Sequence, residues 1–335
     1  MRTAPVVDLL VGSALFRDSF VRGGRGHVDL PRLRSVGVNV VGLTIATRWP
    51  NLRGTLSGWH FRSLGVPAKL THSDMAMAEW LIRRVDRWVS EAEGGLRVIR
   101  SRSDFDACLA VGGPVGVLLG VQGGQVLEGD LGNIARLREA GIRMFAPAHV
   151  MDNALVGSGT GRLRGGLSDH GREVIAELEA LSIAVDLAHM SVVGIEATLP
   201  LLRRPFVLSH TGMVEAAGRR SRRRRYSAAT RNIPASLAAE IGAAGGLLGI
   251  TLSTQLLGGS TLDAAVRTIR LAIESTGADH VALGSDMDGA LRMLIDSEGL
   301  PALAGALLDS GLSDGVVRAV FGGNAVAQLR KASAD

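Results

Sequence analysis

Two histidines and an aspartate stand where short apolar runs end. His189 closes Ile183-Ala-Val-Asp-Leu-Ala-His, His210 closes Pro205-Phe-Val-Leu-Ser-His, and Asp286 closes His280-Val-Ala-Leu-Gly-Ser-Asp. Such runs read as buried parallel strands, and in an α/β barrel the carboxyl ends of different strands converge on one mouth. Two imidazoles and a carboxylate meeting there suit a zinc-type metal. The first apolar run offers no donor at the same point, because it ends Leu9-Leu10-Val11-Gly12.

The elements that must position these groups follow from the alternation of apolar and amphipathic stretches. Eight strand-like runs are expected: Pro5–Val11, Val38–Ala46, Val115–Gln122, Ile142–His149, Ile183–His189, Pro205–His210, Gly246–Ser253 and His280–Asp286. Helical periodicity fills the gaps at Asp74–Glu93, Leu131–Ala140, Ser168–Leu181, Val192–Leu202, Pro234–Ala244 and Leu262–Thr276. In Asp74–Glu93 the spacing puts Trp80, Leu81, Val85 and Val89 on one side and arginines on the other. Ser168 and Asp169 supply a cap and negative charge for the helix that they open. Eight βα units predict an α/β fold, a (β/α)8 TIM barrel, as one domain over residues 1–335. Two further helices, over about 302–331, are expected to pack on it.

Composition narrows the function classes. The 335 residues are 46% hydrophobic and include 44 glycines, which fits a compact α/β protein. The one cysteine, Cys108, rules out an internal disulfide and leaves no need for an oxidising compartment. The opening segment lacks the apolar core and cleavage site of a signal peptide, and no run is long enough for a membrane anchor. A soluble cytoplasmic protein is the expectation, and a homodimer is compatible with it. The net charge of +5 comes almost wholly from arginine, with lysine at Lys69 and Lys331. The run Arg219–Arg225 falls in the loop after the sixth strand, on the mouth side. It reads as a solvated loop, an electropositive rim for carboxylate substrates, or a patch for nucleic acid or an anionic membrane. Without interleaved aromatics or a recognised motif, no nucleic-acid partner is expected. Gly120-Val-Gln-Gly-Gly follows a barrel strand and does not open a dinucleotide-binding unit.

Several ordered segments carry a resemblance. Pro5-Val-Val-Asp, His27-Val-Asp-Leu-Pro-Arg-Leu-Arg, Gly120-Val-Gln-Gly-Gly and Gly166-Leu-Ser-Asp-His-Gly-Arg-Glu-Val occur in that order. Val185-Asp-Leu-Ala-His, Leu208-Ser-His-Thr, Arg231-Asn-Ile-Pro and Gly284-Ser-Asp-Met-Asp-Gly follow them. Together they resemble the membrane (renal) dipeptidase family of zinc metallopeptidases, which are barrels of the metal-dependent amidohydrolase kind with two metals. The resemblance implies His189 and His210 as metal ligands, with Gln122 and Asp286 as weaker donors. It implies Asp286 and His149 as catalytic groups, and Arg231, Asn232 and His149 as substrate-binding groups. The family's first His-x-Asp pair falls on Leu10 and Gly12, and its bridging glutamate falls on Gln122, an amide without charge. His27-Val-Asp29 also spells His-x-Asp but belongs to the downstream segment. The expectation is therefore an eroded centre holding at most one zinc ion, or none. The substrate would be a dipeptide or peptide-derived amide with a free carboxylate. The alternatives are a non-hydrolytic biosynthetic enzyme and an inactive relative that binds a ligand or partner.

Overall fold

The computed structural model describes residues 4–12, 14, 19–48, 50–51, 54–55, 58–217 and 228–332. The Arg219–Arg225 run lies outside the described residues.

Eight parallel strands form the barrel. They are β1 (Val7–Val11), β2 (Val40–Ala46), β3 (Val115–Gln122), β4 (Ile142–Ala146), β5 (Ala184–Val185), β6 (Val207–Thr211), β7 (Leu247–Ile250) and β8 (Val281–Leu283). Their order is β5-β4-β3-β2-β1-β8-β7-β6. An isolated bridge between Asp186 and Val207 joins the two ends, with Leu187 N donating to Val207 O at 2.8 Å. All strand residues except Arg143 are buried, as continuous Val/Leu/Ile runs require when helices cover the outside.

Each expected run contains a strand, but most strands are shorter. His149 lies three residues beyond β4, His189 four beyond β5 and Asp286 three beyond β8. Pro147 cannot donate to the ladder after Ala146. His189 (φ +66°) and Asp286 (φ +61°) are left-handed, which turns the chain out of the extended form. Of the three groups that seemed to end strands, His210 alone sits inside one. His280, expected to begin the last strand, belongs to the short 3-10 turn before it.

A ninth strand, Leu96–Val98, was not expected. It pairs with the lower part of β3, opposite Val115–Val117, while β4 pairs with Leu119–Gln122 above it. Arg143 Nη2 and Arg100 O (2.6 Å) stitch this short strand's end to the start of β4. A small hairpin, Pro50–Asn51 with Gly54–Thr55, adds a two-stranded sheet.

The long helix, Asp74–Glu91, buries Leu81 and Val85 as its spacing predicts, leaves Trp80 and Val89 half-buried, and buries Trp88 as well. Its arginines do not all face away. Arg84 is buried, with its guanidinium 4.4 Å from the Trp80 ring centroid and Nη1 donating to Ala14 O. A planar cation can share an apolar face with an indole in this way.

The floor of the barrel is closed by the C-terminal helices Leu300–Asp309, Asp314–Arg318 and Asn324–Ala332. Asn324 donates to Ala278 O and Val281 O, and Gln328 to Phe206 O and Gly245 O, at the entry ends of β6, β7 and β8. The expected continuous helix Ser313–Lys331 is interrupted at Ala319–Gly323. There Gly322 meets Pro5 so closely that an added Cβ would overlap the Pro5 carbonyl. Among the described residues no helix is long and apolar enough to cross a membrane.

Candidate functional site

The residues singled out by the sequence do gather at one end. A cavity of about 270 Å³ opens at the carboxyl ends of the strands, lined by Thr44, Gln122, His149, His189, Arg231 and Asp286 among others. A second space, about 330 Å³, adjoins it across His149 and Val150 and is lined by Arg48, Glu128, Asp152 and His170. The smaller cavity is the one that holds the chemically distinctive groups.

Three imidazole rings stack edge to face from its wall inward, His149 and His189 at the cavity and His210 behind them. His149 and His189 have centroids 4.7 Å apart, and His189 and His210 are 4.9 Å apart, with Nε2 to Nε2 at 3.0 Å. Burial holds all three below the usual histidine range, His149 at about 4, and the nearby Arg231 charge lowers them further. His149 is fixed by its loop: Ser158 Oγ donates to His149 O and Thr160 Oγ1 to Val150 O.

Charge enters through Arg231 and Asp286. Both are buried, and among the described residues they form no direct ion pair. Arg231 Nη2 donates to His210 O at 2.8 Å, and burial lowers its pKa to about 10 against the pull of Asp286 and Asp186. Burial pushes Asp286 up to about 7, opposed by Arg231 and aided by Asp8.

Two expected site residues are placed elsewhere. Neither His210 nor Asn232 lines the cavity. His210 lies behind His189. Asn232 Nδ2 donates to Met213 O and Leu256 O and so holds two loops together, while its Oδ1 has no partner among the described residues.

Two buried carboxylates, Asp8 and Asp186, escaped the sequence reading. Asp8 accepts from Ser285 N (2.8 Å) and Leu10 N, and burial raises its pKa to about 6. Asp186 accepts from Ser209 N, Ser209 Oγ and Ala188 N, and burial raises it as well. A signal existed: each is a lone acid inside an apolar run, and such a group is rarely buried unless it has partners.

The residues present do not fit the two-metal centre that the resemblance implies. Among the described residues no group of three His, Cys, Asp or Glu side chains could hold an ion. A catalytic zinc needs about three protein ligands. Gln122 brings no charge, and its Nε2 has no partner among the described residues. Gly12 is not merely a missing ligand. Gly12 N donates to Met287 O, and an added Cβ would lie closer than 3.0 Å to the Asp288 carbonyl and Gly289 N. The loop after β8 fills the place of a side chain. His27-Val-Asp29 supplies no substitute: Asp29 caps the helix Leu30–Ser35, and His27 Nδ1 pairs with Asp288 Oδ1 at 2.8 Å.

A parallel barrel with a histidine- and carboxylate-lined cavity at its carboxyl-end mouth is the architecture of (β/α)8 enzymes. The model of one such family, membrane dipeptidase (peptidase family M19), matches residues 1–334, and the chain belongs to that family. Dipeptidase verJ of Clonostachys rogersoniana is 26% identical over 219 residues, covering 63% of this chain and 54% of that protein. The match thus spans about half the length of that relative. Among solved structures, the probable dipeptidase PvdM of Pseudomonas aeruginosa superposes with a TM-score of 0.82 at 16% identity, covering 99% of this chain and 96% of that one. A metallo peptidase from Rhodobacter sphaeroides, liganded with a phosphinate mimic of the dipeptide L-Ala-D-Ala, gives 0.81 at 23% identity, covering 98% and 99%. Those likenesses establish the shared barrel.

Proposed function

We propose that the cavity takes a dipeptide or a similar small amide with a free carboxylate, and that this chain has lost the two-metal hydrolysis of its family. The observation that carries the reading is the pair Arg231 and Asp286, opposite charges buried at one cavity without a direct ion pair between them. Buried charges are costly unless they find partners. A ligand with a carboxylate for Arg231 and an ammonium for Asp286 would partner both at once. The planar guanidinium suits a carboxylate because it donates through two parallel N–H groups. The cavity, at about 270 Å³, falls just under the roughly 300–1,000 Å³ of small-molecule sites, which favours a dipeptide over a longer peptide.

His149 lines the same cavity, and burial keeps its ring neutral, so it would meet the bound amide as an uncharged imidazole. The single zinc ion that the sequence allowed on His189 and His210 finds little support in the donor chemistry above. No step is derived through it.

Calorimetry and turnover test the reading together. An unblocked dipeptide should bind, and Arg231→Ala should weaken it by roughly tenfold to a hundredfold, the worth of hydrogen bonds to a charged group. A C-terminally amidated analogue should be nearly indifferent to that change. Wild-type dipeptide turnover at about 1–1,000 per second, the ordinary enzyme range, would overturn the proposed loss of hydrolysis.

A further inference from the structure

Behind the cavity wall runs a chain of four side chains, of which Asp186, Ser209 and His210 are buried and His189 is half-buried. Asp186 receives three hydrogen bonds: Ser209 N at 2.8 Å and Ala188 N at 2.9 Å on Oδ1, and Ser209 Oγ at 2.6 Å on Oδ2. Ser209 Oγ also lies 2.9 Å from His210 Nδ1, and His210 Nε2 lies 3.0 Å from His189 Nε2. His189 is the member that lines the cavity.

Proton counting gives this chain a direction. A serine hydroxyl has one hydrogen, and here it goes to the carboxylate. The contact with His210 therefore needs the ring to donate from Nδ1. A neutral His210 then has a bare Nε2, which accepts from an N–H on His189 Nε2. That leaves His189 Nδ1 as a bare acceptor, and this atom is buried with no partner among the described residues. The reverse direction would put a hydrogen on the same atom and strand a buried N–H, which is rarer in proteins than an unfilled acceptor.

We infer that Asp186 and Ser209 are positioning residues that fix the tautomers of His210 and His189, joining the two rings by an N–H···N hydrogen bond where a metal-ligand pair would otherwise stand. Two Nε2 atoms cannot share a proton with each other and both give their lone pairs to one cation. The blocked Gly12 position and the missing third ligand agree with this assignment. The assignment does not depend on which ligand the cavity takes.

The test is nitrogen NMR of the full chain labelled at histidine, with and without one equivalent of zinc sulfate. His210 should read as protonated at Nδ1 and His189 at Nε2, with a scalar coupling between the two Nε2 nuclei. Zinc should change neither ring. Ser209→Ala should abolish the coupling and mix the His210 tautomers, whereas Ser209→Thr, which keeps the hydroxyl, should restore both. Both rings protonated at Nδ1, with Nε2 signals that move on adding zinc, would overturn the relay and make the pair metal ligands. Absence of the coupling in the wild type, or an unchanged coupling in Ser209→Ala, would overturn the role of Ser209. Neither result would bear on dipeptide binding, which calorimetry reads separately.

Discussion

Rebuilding the family's donor set at the end of β1 should fail, and the failure should be measurable. The perturbation is the triple change Leu10→His, Gly12→Asp and Gln122→Glu. On sequence alone it would restore two histidine-aspartate ligands and a bridging carboxylate. In the structure, any side chain at position 12 meets the Asp288 carbonyl and Gly289 N, backbone atoms that cannot swing aside as a flexible side chain could. Overpacking of this kind costs about 1–3 kcal/mol. Displacing the loop would also break the Gly12 N to Met287 O bond, worth roughly 0.5–1.5 kcal/mol. The His27–Asp288 pair, which anchors the loop from outside, resists the displacement further. Urea unfolding should therefore show the triple variant destabilised by about 1.5–4.5 kcal/mol, the sum of those two costs. Gly12→Ala alone should account for most of the loss. Elemental analysis should find no second ion. Two zinc ions per chain at unchanged stability would refute the reasoning, since the loop would then yield at no cost.

Three further outcomes are expected. Asp286 has a folded pKa raised from 3.8 to about 7, so between those values the folded chain holds a proton that the unfolded chain has released. This group's contribution to stability thus falls as pH rises through that window, and Asp286→Asn should stabilise the protein at pH 8, by up to about 4 kcal/mol, while changing little at pH 3. His149 is shifted the other way, from 6.5 to about 4, so its contribution is complete above pH 6.5 and is lost as pH falls towards 4. His149→Gln should remove about 3 kcal/mol of acid sensitivity in that range, read from unfolding curves at several pH values. Asn232→Ala should strip two loop carbonyls of their donor and lower stability by about 1–3 kcal/mol, with ligand affinity following only as far as Arg231 next to it is disturbed.

The barrel itself was legible because a strand covered on both faces has to be apolar throughout, and eight such runs are hard to mistake. Strand ends were not, since nothing in the letters of His189 or Asp286 announces a left-handed backbone. Leu96–Val98 escaped for a different reason: three residues with an exposed arginine in the middle make no pattern. At the site, His149, His189, Arg231 and Asp286 converge as their places after strands suggest. The loop-bridging bonds of Asn232 were not legible, because an asparagine beside a site arginine looks the same in sequence whether its amide serves a ligand or two loop carbonyls. The filled position at Gly12 depends on a contact between residues 12 and 288, which no local pattern encodes. Arg84 shows the same limit in the helix, where helical spacing alone sends an arginine outward but Trp80 gives it a buried resting place.

β5 is the weakest stave of the barrel, with two residues, two register pairs to β4 and a single bridge to β6. Asp186 lies at that bridge, and its carboxylate holds the backbone N–H of Ser209 on the neighbouring strand. A side chain here performs the closure that a longer ladder gives elsewhere. If that suture were cut, the barrel would relax to an open sheet, with Val207 and Leu208 of β6 along its bare edge. Exposed apolar edges recruit strands from other molecules. An Asp186→Ala chain should accordingly betray itself first as a solubility defect on concentration, before any loss of helix or sheet is seen.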